Sequence, residues 1–166
     1  MKKILNVNNP AILNDIALLI ARAGIGLLML THGVPKMMLL LSGAEVQFPS
    51  VMGMSPELSL GLAVFAEVAC SILLLAGLAT RLAVLPLIAT MLTAALFIHA
   101  ADPFIKQEPA FQYLLVYVVL LFTGSGKYSI DYLLQGKVKD VPVRVKPARP
   151  AAIKRFPKIR EGHPEV

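Results

Sequence analysis

Arg22 and Glu67 each stand in the middle of an apolar stretch long enough to cross a membrane. An ionisable side chain at the bilayer centre costs roughly 2.5–3.5 kcal/mol on insertion scales, so two of opposite sign are expected to pair or to be used. A helix rise of about 1.5 Å per residue puts Arg22 about 15–17 Å from the inner end of the first stretch and Glu67 about 15 Å from the outer end of the second. If the two stretches are antiparallel neighbours, these charges arrive at one level. An intramembrane ion pair between Arg22 and Glu67 is therefore the expectation. Such a pair either fixes helix register or floors a ligand pocket, and the residues alone leave both readings open.

A second polar set is expected toward the outer end. His32 and Lys36 close the first stretch, His99 closes the third with Asp102 after it, and Glu108 opens the fourth. At 100° per residue, Arg22, Met29, Gly33 and Lys36 share one helical stripe. Glu108 and Gln112 share another at i,i+4 spacing, as do Tyr113 and Tyr117. His32, Lys36, His99, Glu108, Gln112 and Tyr113 are thus the candidates for a polar pocket, against the alternative of interfacial side chains reaching for headgroups. Cys70 and Ser71 follow Glu67 on its own face, where small residues let helices pack closely.

Much chemistry is excluded. A single cysteine, Cys70, leaves no CxxC redox pair and no internal disulfide. There is no HExxH and no cysteine cluster, so no metal centre or iron–sulfur site is expected. His32 and His99 stand near the outer edges of different helices, a poor arrangement for haem. Gly124-Ser125-Gly126-Lys127 resembles part of a phosphate-binding loop but has Leu121 where that pattern needs glycine and Tyr128 where it needs a hydroxyl on Ser or Thr. It reads instead as the end of a helix, followed by a short amphipathic segment from Ser129 to Leu134. Catalytic residues are not assignable.

The elements that must position these groups follow from composition. The chain has 166 residues, 57% hydrophobic and 16% charged, against about 25% charged in soluble domains. The apolar residues precede position 124, and ten of the 16 Lys and Arg lie from Lys127 onward. A membrane helix needs about 20 mostly apolar residues. Spans are expected over about 12–31, 56–79, 82–100 and 109–124; Pro35 should kink or stop the first, whose apolar run otherwise reaches Leu41. The fold class is all-α: an integral membrane four-helix bundle over 1–135, with a flexible basic tail over 136–166. Lys2 and Lys3, Arg81 and the tail fall on one side, which places both termini in the cytoplasm. Lys2-Lys3 and Ala21-Arg22-Ala23 imitate the ends of a signal peptide, but Asn14 and Asp15 interrupt its apolar region, so an uncleaved helix is expected. The tail should meet anionic lipid headgroups. With one aromatic, Phe156, it offers no stacking platform for nucleic acid.

The ordered set Arg22-Ala-Gly-Ile-Gly26, His32-Gly33-Val-Pro-Lys36, Glu67, Leu75-Ala-Gly77-Leu-Ala-Thr80-Arg81, His99, Glu108 and Gly124-Ser-Gly126-Lys-Tyr128-Ser129-Ile-Asp131 resembles the DoxX family of small membrane proteins. It covers about Ile16 to Leu134, and Ser125 stands where the family often has proline. The resemblance implies a four-helix membrane domain of the bacterial inner membrane. It also implies a subunit or accessory of a membrane-bound, quinone-linked oxidoreductase. A quinone would be the cofactor, a redox enzyme or a second copy the protein partner, and Arg22 and Glu67 the floor of a site contacted by His32, Lys36, His99 and Glu108. Related families include proteins that help others mature or move, so a non-catalytic assembly protein is the alternative. A small transporter ranks below both, since neither broken helices nor inverted repeats are present.

Overall fold

A computed structural model describes residues 11–139, with side chains to 135. The basic tail expected over 136–166 therefore lies almost wholly outside the described residues. Within them every regular element is helical. Helix α1 spans Ala11–Leu41, α2 spans Pro56–Ala76, α3 spans Thr80–Ile98, α4 spans Phe104–Thr123 and α5 spans Ile130–Lys139. Helices α1, α2 and α3 are long and apolar enough to cross a membrane. The more polar first turns of α4, with Lys106, Gln107 and Glu108, set it apart from these three.

Helix α1 is longer than the span expected to end at residue 31. It continues through Pro35 to Leu41, and 31 residues at about 1.5 Å each make a rod of about 46 Å. Only 17% of its most apolar window is buried. Arg22, Gly26, Met29 and Gly33 form the one buried stripe, while Ile20, Leu27, Leu28 and Met38 are exposed. Exposed apolar residues also cover α2 (Leu62, Phe65, Ile72), α3 (Leu82, Leu85, Phe97) and α4 (Leu115, Val119, Phe122). A surface this apolar suits lipid rather than water.

Two glycines set the register of α1 against α2. A Cβ on Gly33 would lie 2.9 Å from Glu67 Cβ, and one on Gly26 would lie 3.1 Å from Leu75 Cγ. Close backbone approach at small residues is a general way of packing helices in membranes. Met29, Leu74, Val84, Leu87, Tyr117 and Leu120 fill the centre and are fully buried. Helix α4 packs along α3, so the core is shared by α1 to α4.

The α2–α3 turn is tight. Gly77 N donates to Leu74 O (3.1 Å) and Leu78 N to Leu73 O (2.9 Å), with Gly77 at φ 67°. This paired C-terminal motif needs a left-handed residue, which glycine adopts without a Cβ penalty. Helix α4 ends at Gly124, φ 79°, so the Gly124–Lys127 string ends a helix, as its sequence suggests.

Helices α2 and α3 each contain one wide-wound stretch of π-helix, Phe65–Cys70 and Ala94–Ile98. Such turns are uncommon and often occur at functional sites.

Candidate functional site

Glu67 lies in the wide-wound stretch of α2, and only 1% of its surface is exposed. Its partner is Lys36, whose Nζ stands 2.5 Å from Glu67 Oε1. The expected Arg22–Glu67 pair does not form. The depth count ended α1 near residue 31, which moved its midpoint toward Arg22. The observed register sets Gly33 beside Glu67, and Arg22 lies eleven positions earlier, about 16 Å along the axis. Lys36, one turn beyond Gly33, reaches Glu67 instead.

Arg22 belongs to a latch at the opposite end of the bundle. It is 1% exposed, and its Nη2 donates to Tyr128 O at 2.6 Å. Its guanidinium packs against Gly77, where any Cβ would overlap it. Asp131 accepts from Ala79 N (2.8 Å) and Thr80 N (3.3 Å), capping α3, while its own N–H donates to Gly77 O at 3.0 Å. Lys127 N donates to Asp15 Oδ1 at 3.1 Å. Ser129 Oγ accepts from Tyr132 N at 3.2 Å, in the first turn of α5. The latch thus joins α1, the α2–α3 turn and the segment between α4 and α5.

Beside the Lys36–Glu67 pair lies a cavity of about 580 Å³ between α2 and α3. Leu62, Ala63 and Ala66 form one wall and Pro86, Ala89 and Ala94 another. Phe65 and Glu67 from one wide-wound stretch, and Ala94 and Ile98 from the other, also line it. A third wall comes from the loop before α2, with Phe48, Val51, Met52 and Met54. This loop is anchored: Val51 N donates to Ser59 Oγ at 3.2 Å, and Lys36 Nζ lies 5.9 Å from the centre of the Phe48 ring. Apolar walls around a few fixed polar groups are the usual make-up of a small-molecule site. A second cavity, at the latch, is walled in part by residues that the latch uses, among them Asp15, Thr80, Lys127 and Asp131.

The residues expected to converge are divided by this geometry. Lys36, Glu67 and His99 line the cavity. His99 Nδ1 is 2.8 Å from Asp102 Oδ2, and Lys106 Nζ is 3.2 Å from Asp102 Oδ1. The hydrogen bonds from His99 and then Lys106 hold the Asp102 carboxyl below its ordinary range. Gln107 Nε2 donates to His99 O (2.8 Å) and Asp102 O (3.1 Å), bracing the α3–α4 connection. His32 meets Tyr113 edge to face, 5.9 Å between ring centres, and Tyr113 lies 6.1 Å from Tyr117. Glu108 accepts from Gln112 Nε2 at 2.9 Å. None of His32, Glu108, Gln112 and Tyr113 lines the cavity. The expected single pocket is thus a cavity contacted by three of those residues, with a separate polar patch joining α1 to α4. Cys70 is buried in the core. Among the described residues no cluster of His, Cys, Asp and Glu suits a metal ion.

The loop wall at Phe48–Met54 was not foreseeable from periodicity, because the segment carries no helical or strand pattern. Its one signal is three methionines or aromatics, Phe48, Met52 and Met54, in a stretch free of Lys and Arg.

No curated protein and no solved structure matches the chain. Residues 17–100, half of the chain, match the DoxX family. That segment runs from the first turns of α1 past the end of α3, and it contains Arg22, Lys36, Glu67 and His99. With three helices fit to cross a bilayer and a match over half its length, the chain is a membrane protein and belongs to the DoxX family.

Proposed function

We propose that this chain is a multi-pass protein of the bacterial inner membrane that holds an amphipathic small molecule of the quinone class beside Lys36 and Glu67. In this reading it serves a membrane-bound oxidoreductase as subunit or accessory. The observation that carries it is the cavity itself: apolar walls about 580 Å³ in volume, closed at one side by a buried carboxylate and an ammonium group. An isoprenoid-like body fits the walls, and a polar head fits the pair. Electrons would come from a partner enzyme.

In this reading α4 is the fourth crossing. It has 20 residues, buries Ala110, Tyr117 and Leu120, and exposes Leu115, Val119 and Phe122 outward. The Lys and Arg distribution supports termini in the cytoplasm, with the latch inside and the Lys36–Glu67 cavity toward the outer leaflet.

Thermal unfolding of the purified protein in detergent with short-chain quinones and quinols tests this function. Stabilisation by several degrees at saturating ligand is expected by mass action. Absence of any shift across the series would remove its main support.

A second reading, a non-catalytic assembly protein, is supported by the Arg22 latch, which spends one buried charge on holding the bundle together. Recovery of a redox enzyme with the protein from native membranes supports the first reading. Recovery of immature client proteins supports the second.

A further inference from the structure

The cavity at the latch carries charges that the latch itself leaves unused. It measures about 580 Å³, and its wall includes Asp15, Thr80, Arg81, Leu82, Lys127 and Asp131. The carboxylates in this wall are engaged with backbone. Asp131 accepts from Ala79 N with one oxygen and from Thr80 N with the other, and Asp15 Oδ1 accepts from Lys127 N. The cations are not. Among the described residues, Lys36 and Lys106 hold carboxylates, whereas Arg81 and Lys127 form no ion pair. Arg81 lies across the end of α4, its Nη2 donating to Phe122 O at 3.1 Å. A guanidinium has five N–H donors and an ammonium three, so among the described residues most donors of this pair have no protein acceptor.

Arg81 also stands in the first turn of α3. The partial positive charge of a helix N-terminus makes that a poor place for a cation. Asp131 offsets the helix end, but Arg81 and Lys127 then add two positive charges against Asp15 alone. The cavity therefore suits an anion.

Its position selects the kind of anion. Helices α2 and α3 are joined by the turn at Gly77–Ala79, so where both cross a bilayer this turn stands at the bilayer surface. Leu82, in the cavity wall, and Phe122, whose carbonyl holds Arg81, expose apolar side chains. Cations at headgroup level with apolar surface beside them match a phosphate that carries acyl chains. Inorganic phosphate would meet the cations and leave the apolar surface bare.

We propose that the latch cavity binds the phosphate head of an anionic phospholipid, with Arg81 and Lys127 donating to its oxygens and its chains lying along Leu82 and Phe122. The site is independent of any guest beside Lys36 and Glu67. A lipid held here braces the α2–α3 turn against the segment after α4, so its occupancy stabilises the bundle.

Thermal unfolding of the full chain in dodecyl maltoside tests this, with dioleoylphosphatidylglycerol, dioleoylphosphatidylcholine or inorganic phosphate added in separate titrations. Each Lys or Arg at an anionic surface strengthens binding roughly fivefold, so two give roughly thirtyfold. Phosphatidylglycerol should therefore raise the unfolding temperature at a mole fraction about thirtyfold lower than phosphatidylcholine requires. Inorganic phosphate should give little of this shift. Arg81→Gln/Lys127→Gln should remove the preference, whereas neutralising Lys154, Arg155, Lys158 and Arg160 of the basic tail to Gln should leave it. A preference that survives the double variant and disappears with the tail charges would overturn the proposal. So would equal stabilisation by the two lipids, or a full shift from inorganic phosphate alone. Should the double variant fail to fold, Lys127→Gln alters only an exposed side chain and should still cut the preference about fivefold. An unchanged preference in that variant would also overturn the site.

Discussion

Glu67 takes its ion-pair partner from Lys36, with Nζ 2.5 Å from Oε1, while Arg22 stands fourteen residues earlier on the same helix, about 21 Å away along its axis. The two buried charges that dominate the sequence therefore do separate work. Arg22 ties one end of the bundle together. Glu67 faces a cavity near the other.

Removing one member of the pair strands the other. Lys36→Met should lower stability by about 3 kcal/mol, the low end for a broken buried pair, because Lys36 is partly exposed. Lys36→Met/Glu67→Met should be more stable than Lys36→Met alone, since no unpaired carboxylate remains. Reversible unfolding in mixed micelles measures both. A double variant less stable than either single would contradict the pairing.

Gly77 separates two kinds of glycine. Gly77→Ala meets a positive φ and the Arg22 guanidinium at once. The left-handed conformation costs about 1–2 kcal/mol and overpacking a further 1–3 kcal/mol or so. Gly61 lies inside α2 with open space around its Cα, so Gly61→Ala should be neutral or stabilising by up to about 1 kcal/mol. Melting temperatures of the two variants should move in opposite directions or differ clearly in size.

Asp131 caps α3 from a distance of some fifty residues, through Ala79 N and Thr80 N. Asp131→Ala should cost about 1 kcal/mol, the usual value for a lost N-cap, and Asp131→Asn less. Hydrogen exchange should quicken at the amides of Ala79 and Thr80 before it does so in the centre of α3.

Asp102 carries a pH dependence whose sign is fixed by its hydrogen bonds. His99 Nδ1–H and Lys106 Nζ both favour the ionised carboxylate and depress its folded pKa. The stabilisation they give is complete above the ordinary range of an aspartate and is lost as pH falls through the lowered folded value. His99→Gln should move the Asp102 titration up more than Lys106→Gln does. Carboxyl NMR of the labelled protein reads the midpoint directly, and no change in either variant would contradict the assignment.

Helix identity was legible in the sequence, and partnership was not. The buried stripe Arg22–Met29–Gly33 follows from helical spacing, and the resemblance to DoxX rests on residues of the latch, Arg22, Gly77 and Asp131, and of the cavity, Lys36 and Glu67. Register failed because one end of α1 was misplaced. Proline inside a membrane helix is tolerated when neighbours re-satisfy the freed carbonyl, so Pro35 gave no stop, and ten further residues shifted which α1 residue meets Glu67. The cavity could not be read either. It depends on two wide-wound stretches and on a loop folded over α2 and α3, and neither leaves a periodic trace.

Photolabelling with an azido-quinone, followed by peptide mapping, tests the central claim most directly. Label is expected on the segments 48–54, 62–67 and 89–98, and Glu67→Gln or a cavity-filling Ala66→Phe should reduce it. Label spread over the lipid-facing surfaces of α1 and α4, or insensitive to Ala66→Phe, would contradict the account.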